Sequence, residues 1–267
     1  MNLFKKGMTL LLVVVIVISN ATAQKTLKKI IKNGELRVGL TADQPPFSMK
    51  NKSGKIIGYE VDMAELLAQS MGVKLQLVQL PFNGLIEALD GGKVDIVMSG
   101  MTITPERNLK VAFVGPYMVS GKSILTKSNV LAQTQSTKQL NEGSRISVAV
   151  LEGSTSQSFV ETFLDNVEVT KVDNYDEGIN LVRKDLVNAL IADYPFCVIS
   201  AMKYRSEGMV ALDQPITIEP IGAAIPKNDP LFLNLVQNYM NSLELAEVFD
   251  VLSAKWLEDG MWMLEVE

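Results

Sequence analysis

Histidine is absent from all 267 residues. That removes Ser-His-Asp and Cys-His catalysis, histidine-bearing zinc sites and imidazole general bases together. Cysteine occurs once, at Cys197, so no intramolecular disulfide can form and no cysteine cluster can hold a metal. A Gly-rich loop followed by Lys and Ser/Thr, the cradle for nucleotide phosphates, is also missing. There is no basic run beyond the first few residues, and 25 basic face 30 acidic residues, a net charge of −5. Such a chain is a poor nucleic-acid binder. These absences lower the case for most hydrolases and nucleotide enzymes, and no metal or cofactor is expected. A carboxylate- or lysine-based enzyme stays open.

The N-terminus reads as an export signal. Lys5 and Lys6 precede an apolar run from Met8 to Ile18, and Ala21-Thr22-Ala23 follows. A charged start, a short apolar core and a small-residue exit describe a secretory leader. The run is shorter than the roughly 20 residues a membrane span requires. Cleavage is expected after Ala23, with residues 1–23 as leader. Residue 24 is Gln rather than Cys, so a lipid anchor there is not expected. The remaining chain is expected in the periplasm, with Cys197 as a small buried apolar residue among Phe196, Val198 and Ile199.

Strand and helix patterns then alternate. Leu36–Leu40, Val73–Val78 and Val94–Met98 read as strands. Tyr59–Met71 reads as a helix stopped by Gly72, and Asn83 as the cap of a helix through Leu89. The pattern restarts with strands at Ile146–Val150, Val167–Val172 and Asn188–Ala192. Helices at Thr155–Leu164, Tyr175–Lys184 and Tyr194–Arg205 interleave with them. This βαβ order predicts an α/β fold built on parallel sheets flanked by helices. Ligands in such folds sit beyond the carboxyl ends of the strands. Three small-residue loops or polar residues fall there: Ser99–Arg107, Gly153–Thr155 and Asp193.

Arg107 closes the run Ser99-Gly100-Met101-Thr102-Ile103-Thr104-Pro105-Glu106-Arg107. Thr104 can cap a helix and Pro105 suits its first turn. Arg107 then lies one turn in, where a guanidinium can grip a carboxylate with two prongs. Each candidate also has a plainer reading. Arg107 can be a surface arginine on a capped helix, Asp193 can be a helix cap, Thr155 can cap or open its helix, and Phe82 can be core. Trp256 and Trp262 are expected to pack a C-terminal helix, and Asp62 and Glu65 to be solvated.

Four stretches resemble the bacterial extracellular solute-binding proteins that serve polar-amino-acid ABC transporters. They are Leu36-Arg37-Val38-Gly39 with Pro46-Phe47, Gly54 to Asp62, Gly84-Leu85-Ile86 with Gly92 to Asp95, and Ser99 to Arg107. The resemblance implies a two-lobed periplasmic-binding-protein-like fold, each lobe a mainly parallel sheet flanked by helices, joined by two crossing segments. Lobe 1 would be 24–118 with 214–267, and lobe 2 would be 119–213. By the same resemblance, Arg107 pairs with a ligand α-carboxylate, beside the hydroxyl of Thr102. The backbone at Gly100 meets the α-ammonium, Asp193 pairs with it, and Thr155 reaches the carboxylate. Phe82 covers the ligand.

The implied partners are a free amino acid and an inner-membrane ABC permease, and the implied state is a monomer without catalysis. Relatives that take polar or basic side chains often carry an aspartate and an aromatic at positions that align with Thr41 and Gln44. Their absence here argues against a basic ligand and points to a neutral polar or small one. Lys122 or Arg145 would favour an acidic side chain if either faced the cleft. One alternative is a periplasmic cyclohexadienyl dehydratase on the same scaffold, with Glu152 or Lys171 as acid. Another is a sensory or interaction module: sensors with this lobe pair carry a membrane span and further domains, and a soluble partner-docking role stays open.

Overall fold

The computed structural model describes residues 25–266, so the expected leader and its cleavage site lie outside the described residues. The chain opens with α1 (Lys25–Asn33), β1 (Glu35–Leu40), β2 (Asp43–Gln44), β3 (Ser48–Lys50), β4 (Ile56–Ile57) and α2 (Tyr59–Ser70). It continues through β5 (Lys74–Gln79), α3 (Leu85–Asp90), β6 (Ile96–Val97), α4 (Pro105–Asn108) and β7 (Ala112–Ser120). A second set follows: β8 (Lys122–Thr126), α5 (Asn129–Ala132), α6 (Thr137–Glu142), β9 (Ile146–Leu151), α7 (Thr155–Phe163) and β10 (Val167–Val172). Then come α8 (Tyr175–Arg183), β11 (Ala189–Asp193), α9 (Tyr194–Lys203) and β12 (Val210–Ala211). The chain returns through β13 (Glu219–Ile225) to α10 (Pro230–Leu245) and α11 (Val248–Ser253).

The strands form two five-stranded sheets of matching design and a small sheet of β2, β3 and β4. The first sheet has order β5-β1-β6-β13-β7 and the second β10-β9-β11-β8-β12. In each, the first three strands are parallel and the last two run against their neighbours. Alternate residues set the register, with Leu36 opposite Leu75 and Val38 opposite Leu77. The antiparallel strands β7, β8 and β13 carry the chain between sheets. Ser120 ends one sheet and Lys122 starts the other, with Gly121 alone between them.

The two crossing segments touch at that glycine. A Cβ on Gly121 would lie 1.8 Å from the carbonyl oxygen of Thr217, so no side chain fits there. Lys122 N–H donates to Thr217 Oγ1 at 2.8 Å, and Ile216 N–H donates to the Lys122 carbonyl at 2.8 Å. These bonds join the start of β8 to the returning segment at Ile216 and Thr217, which lies outside either sheet.

One apolar core fills the first sheet's surroundings, with Val38, Tyr59, Met63, Phe232, Trp256 and Trp262 among its members. Ile124, Val148 and Phe159 belong to another beneath the second sheet. Each such fully buried side chain contributes about 1.5–3 kcal/mol. A further cluster joins Phe82, Leu85 and Met101 to Leu151, Tyr175, Phe196 and Cys197, so apolar packing runs from one sheet's elements to the other's. Cys197 is fully buried there, as expected.

Local signals mostly hold. Thr104 Oγ1 accepts from Arg107 N–H at 3.2 Å, with Pro105 in the first turn of α4. Gly72 follows α2 with φ +66°. Asn83 does not cap α3; it lies inside a 3-10 turn (Phe82–Gly84), and its amide donates to Glu152 Oε2. Asp62 is not simply solvated: its Oδ2 accepts from Lys255 Nζ at 2.6 Å and Trp256 Nε1 at 2.7 Å, tying α2 to the C-terminal segment. Trp256 and Trp262 pack against each other at 5.4 Å. Among the described residues, no helix is long and apolar enough to cross a membrane.

Candidate functional site

The carboxyl ends of β1, β6, β9 and β11 all open onto one cleft between the sheets. From the end of β1 come Thr41 and, on β2, Gln44. From β6 come Ser99 to Arg107. From β9 come Gly153 to Thr155, and β11 ends on Asp193 itself. Parallel strands that share a direction necessarily deliver their following loops to one edge, which is why these residues meet.

Arg107 is 9% exposed. Its Nη1 donates to the Thr102 carbonyl at 2.9 Å and its Nη2 to the Gly153 carbonyl at 3.1 Å, the second across the cleft. Its guanidinium carbon lies 5.4 Å from the centroid of the Phe82 ring, within cation–π range. No carboxylate is within salt-bridge distance of it among the described residues. Burial lowers its pKa from the ordinary value, while Asp193 and Glu219 act to raise it.

The facing wall is built differently. Asp193 Oδ1 meets Lys122 Nζ at 2.7 Å, and its Oδ2 accepts from Gln44 Nε2 at 3.0 Å. Lys122 also reaches Glu219 Oε2 at 3.0 Å. That oxygen accepts from the hydroxyls of Thr102 (3.0 Å) and Thr155 (2.9 Å), which are themselves 3.2 Å apart. Burial pushes the Glu219 carboxyl up, but Lys122 and these two hydroxyls outweigh it and hold it below its ordinary range. Asp193 occupies the cap position of α9 yet makes no side-chain cap bond, and Ser154 rather than Thr155 caps α7. The capping reading of Asp193 therefore fails, whereas Thr155 opens α7 as its first residue, and both side chains bond to polar partners in the cleft.

Gly100 has φ +58°, a left-handed conformation that favours glycine, and a Cβ there would lie 2.8 Å from the Gln44 amide and displace it. Its N–H donates to Glu60 Oε1 at 2.8 Å, and Tyr117 O–H donates to the same oxygen. Burial pushes the Glu60 carboxyl up to about 7, with the bonds from Tyr117 and Gly100 pulling it back. Thr41 N–H donates to Ser99 Oγ at 3.1 Å, fixing the two loop starts against each other. Asp43 Oδ2 accepts from Tyr175 N–H at 2.9 Å, a further bond across the cleft.

All seven residues singled out from the sequence thus border the same region: Thr41, Phe82, Gly100, Thr102, Arg107, Thr155 and Asp193. Two cavities flank it. One of about 940 Å³ is lined by Thr41, Phe82 and Leu151, and one of about 640 Å³ by Phe82, Arg107 and Thr155. They share Phe82 and Asn83, while Asp193 and Lys122 are sealed behind direct contacts between the two walls. Three residues at the centre had no local signal. Lys122 and Glu219 are brought in by strand pairing, and Gln44 by a contact spanning 149 positions. Arg145, Glu152 and Lys171 do not join them. Arg145 is exposed, Glu152 bonds Asn83 at the surface, and Lys171 pairs with Glu161 in solvent. Among the described residues, no cluster suited to a metal ion exists.

The sequence pattern of the bacterial extracellular solute-binding proteins, family 3, matches residues 36–259. The L-cystine-binding protein TcyJ of Escherichia coli (strain K12) is 26% identical over 86% of this chain and 85% of its own length. The glutamine-binding protein of Geobacillus stearothermophilus is 30% identical over 82% of this chain and 80% of its own. The cyclohexadienyl dehydratase of Pseudomonas aeruginosa is 32% identical, over 55% of this chain and 54% of its own. Among solved structures, the ancestral amino acid-binding protein AncCDT-1, a precursor of cyclohexadienyl dehydratase, superposes with TM-score 0.79 at 40% identity. That match covers 87% of this chain and all of the other. A binding component of an ABC transporter from Wolinella succinogenes, complexed with lysine, gives TM-score 0.80 at 38% identity over 86% and 99%.

Proposed function

Since the chain belongs to family 3 of the bacterial extracellular solute-binding proteins, we propose that it is the periplasmic substrate-binding component of an amino-acid ABC transporter. A free amino acid binds between two lobes, 24–118 with 214–267 and 119–213. Arg107 takes its α-carboxylate and Asp193 its α-ammonium. The lobes deliver it to an inner-membrane permease, and the protein acts as a monomer and turns nothing over.

The observation that carries this reading is the buried guanidinium of Arg107, bonded to two carbonyls but to no carboxylate. Burying an ion costs several kcal/mol unless it is paired. A ligand carboxylate supplies the missing partner. The ammonium on the adjacent carbon then needs an acid, and the Asp193–Glu219 wall provides one. Thr102 and Thr155 stand between, one from each lobe, with hydroxyls that can turn to the carboxylate. Gly100 brings a bare backbone close to the ammonium, and Phe82 and Thr41 close the side-chain end.

Closure follows from where the contacts lie. Arg107 and Gly100 belong to the first lobe, Thr155 and Asp193 to the second. Only the closed arrangement offers both charges to one small molecule, so binding shifts the population toward it. The bonds Arg107–Gly153, Gln44–Asp193, Asp43–Tyr175, Thr155–Glu219 and Asn83–Glu152 are among those that opening must break.

The dehydratase alternative requires an acid over a ligand ring. Glu152 and Lys171, the groups considered for it, lie at the surface with other partners. Incubation with prephenate or arogenate is expected to give no aromatic product. The transport reading is tested by a thermal-shift screen over the amino acids. At least one is expected to raise the melting temperature, because only the native state binds it. A screen in which none does so contradicts the reading.

A further inference from the structure

We propose that Lys122 is a built-in counter-ion that restricts the cleft to amino acids carrying a single positive charge, those with uncharged side chains. The inference rests on the amino-acid reading of the cleft and deepens it.

Lys122 is 1% exposed, among the most deeply buried charges in the chain. It stands on β8 directly opposite Asp193 on β11, and Glu219 reaches it from the start of β13. Its ammonium lies 2.7 Å from Asp193 and 3.0 Å from Glu219. Two carboxylates and one lysine leave one negative charge on this wall, and Arg107 leaves one positive charge opposite. An amino acid with a neutral side chain cancels both and brings nothing over. The Gln44 amide adds a second mark of the ammonium position. Gln44 is 1% exposed, its Nε2 is committed to Asp193, and its Oε1 has no hydrogen-bond partner among the described residues. A buried amide oxygen without a donor costs free energy that a ligand N–H removes.

A lysine or arginine ligand brings a second cation. The acid it needs is the one Lys122 already neutralises. Of the other acids at the mouth, Asp43 holds the Tyr175 N–H through Oδ2 while its Oδ1 has no hydrogen-bond partner among the described residues, and burial together with Asp43 pushes the Asp176 carboxyl up from its ordinary range. Lys122 thus lowers the negative charge that the Asp193–Glu219 wall offers to a second cation, whatever the shape of the side chain.

The test is calorimetric titration of the mature protein with glutamine, lysine and arginine, in the wild type, in Lys122→Met and in Lys122→Met/Glu219→Gln. The wild type is expected to bind glutamine at least 10-fold tighter than lysine or arginine. Lys122→Met exposes one more negative charge, and the glutamine-to-lysine ratio is expected to fall at least 100-fold. The double variant removes one charge of each sign and is expected to restore the preference, which also covers the case in which the single variant fails to fold. Wild-type protein that binds lysine or arginine as tightly as glutamine overturns the inference, and so does an unchanged ratio in a folded Lys122→Met. Binding of no amino acid at all contradicts the amino-acid reading itself, a distinct result.

Discussion

Two buried cations lie at the cleft, and their surroundings differ. Arg107 is bonded only to carbonyl oxygens, while Lys122 sits between two carboxylates. Both are all but removed from water, and both belong to a chain with more acidic than basic residues. The difference separates a charge that structure satisfies from a charge held in readiness. Lys122 completes its environment from within the chain. Arg107 does not: its guanidinium meets two carbonyls and no carboxylate, and the proposed reading gives that place to a ligand carboxylate.

The sharpest way to break this contrast is to remove each group in turn. Arg107→Ala is expected to weaken amino-acid binding by about 3–5 kcal/mol, because the ligand carboxylate would be buried unpaired. Calorimetry that shows a loss below about 1 kcal/mol would detach Arg107 from the site. Asp193→Asn should cost less, about 2–3 kcal/mol, since Glu219 and Gln44 stay near the ammonium. A full loss of native far-UV dichroism in this variant would instead give Asp193 a folding role.

Glu60 extends the comparison to an acid that lacks a cation. Its carboxyl is pushed up to about 7 by burial, so between its ordinary range and neutrality the unfolded chain loses a proton that the folded chain keeps. Its contribution to stability is fully present below about pH 4.5 and is lost as pH rises to about 7, with little further change above. The loss amounts to roughly 3 kcal/mol at most. Glu60→Gln keeps the acceptor for Gly100 and Tyr117 and removes the titration. Urea unfolding at pH 5 and pH 8 should show the variant gaining relative to wild type at the higher pH, and parallel curves would contradict this. The smallest expected effect belongs to Phe82→Leu, which removes a ring 5.4 Å from Arg107. A cost of about 0.5–1 kcal/mol in binding follows from the cation–π contact, read by the same titration.

What the sequence disclosed follows a physical divide. Arg107 was legible because its placement is local. A strand, a glycine, a capping threonine and a proline at consecutive positions determine where the guanidinium emerges, and α4 begins at Pro105 as that pattern predicts. Thr102 and Gly100 ride on the same segment. Asp193 and Thr155 gained meaning from the position of strand ends, another local property. Lys122, Glu219 and Gln44 carried no such mark. Lys122 meets Asp193 because β8 pairs antiparallel with β11, with 71 positions between them, and no periodicity in either strand reports that register. For the same reason Gln44 registered only as a missing aromatic, while the folded chain makes it a partner of Asp193. The strands β7, β8 and β13, which join the sheets, were the part of the fold left unread. Their antiparallel pairing leaves no βαβ rhythm to detect.

The most direct test of the central claim pairs protein groups with ligand groups. Glutamine, its α-amide and its deaminated analogue glutaramate should be titrated into wild type, Arg107→Ala and Asp193→Asn. Wild type should lose at least about 100-fold in affinity for each altered ligand. Arg107→Ala should become indifferent to amidation of the carboxylate, and Asp193→Asn should lose most of its sensitivity to removal of the amine, with Glu219 and Gln44 retaining the rest. If both variants keep the wild-type sensitivity to each change, Arg107 and Asp193 do not receive the two ends of one amino acid, and the account is contradicted.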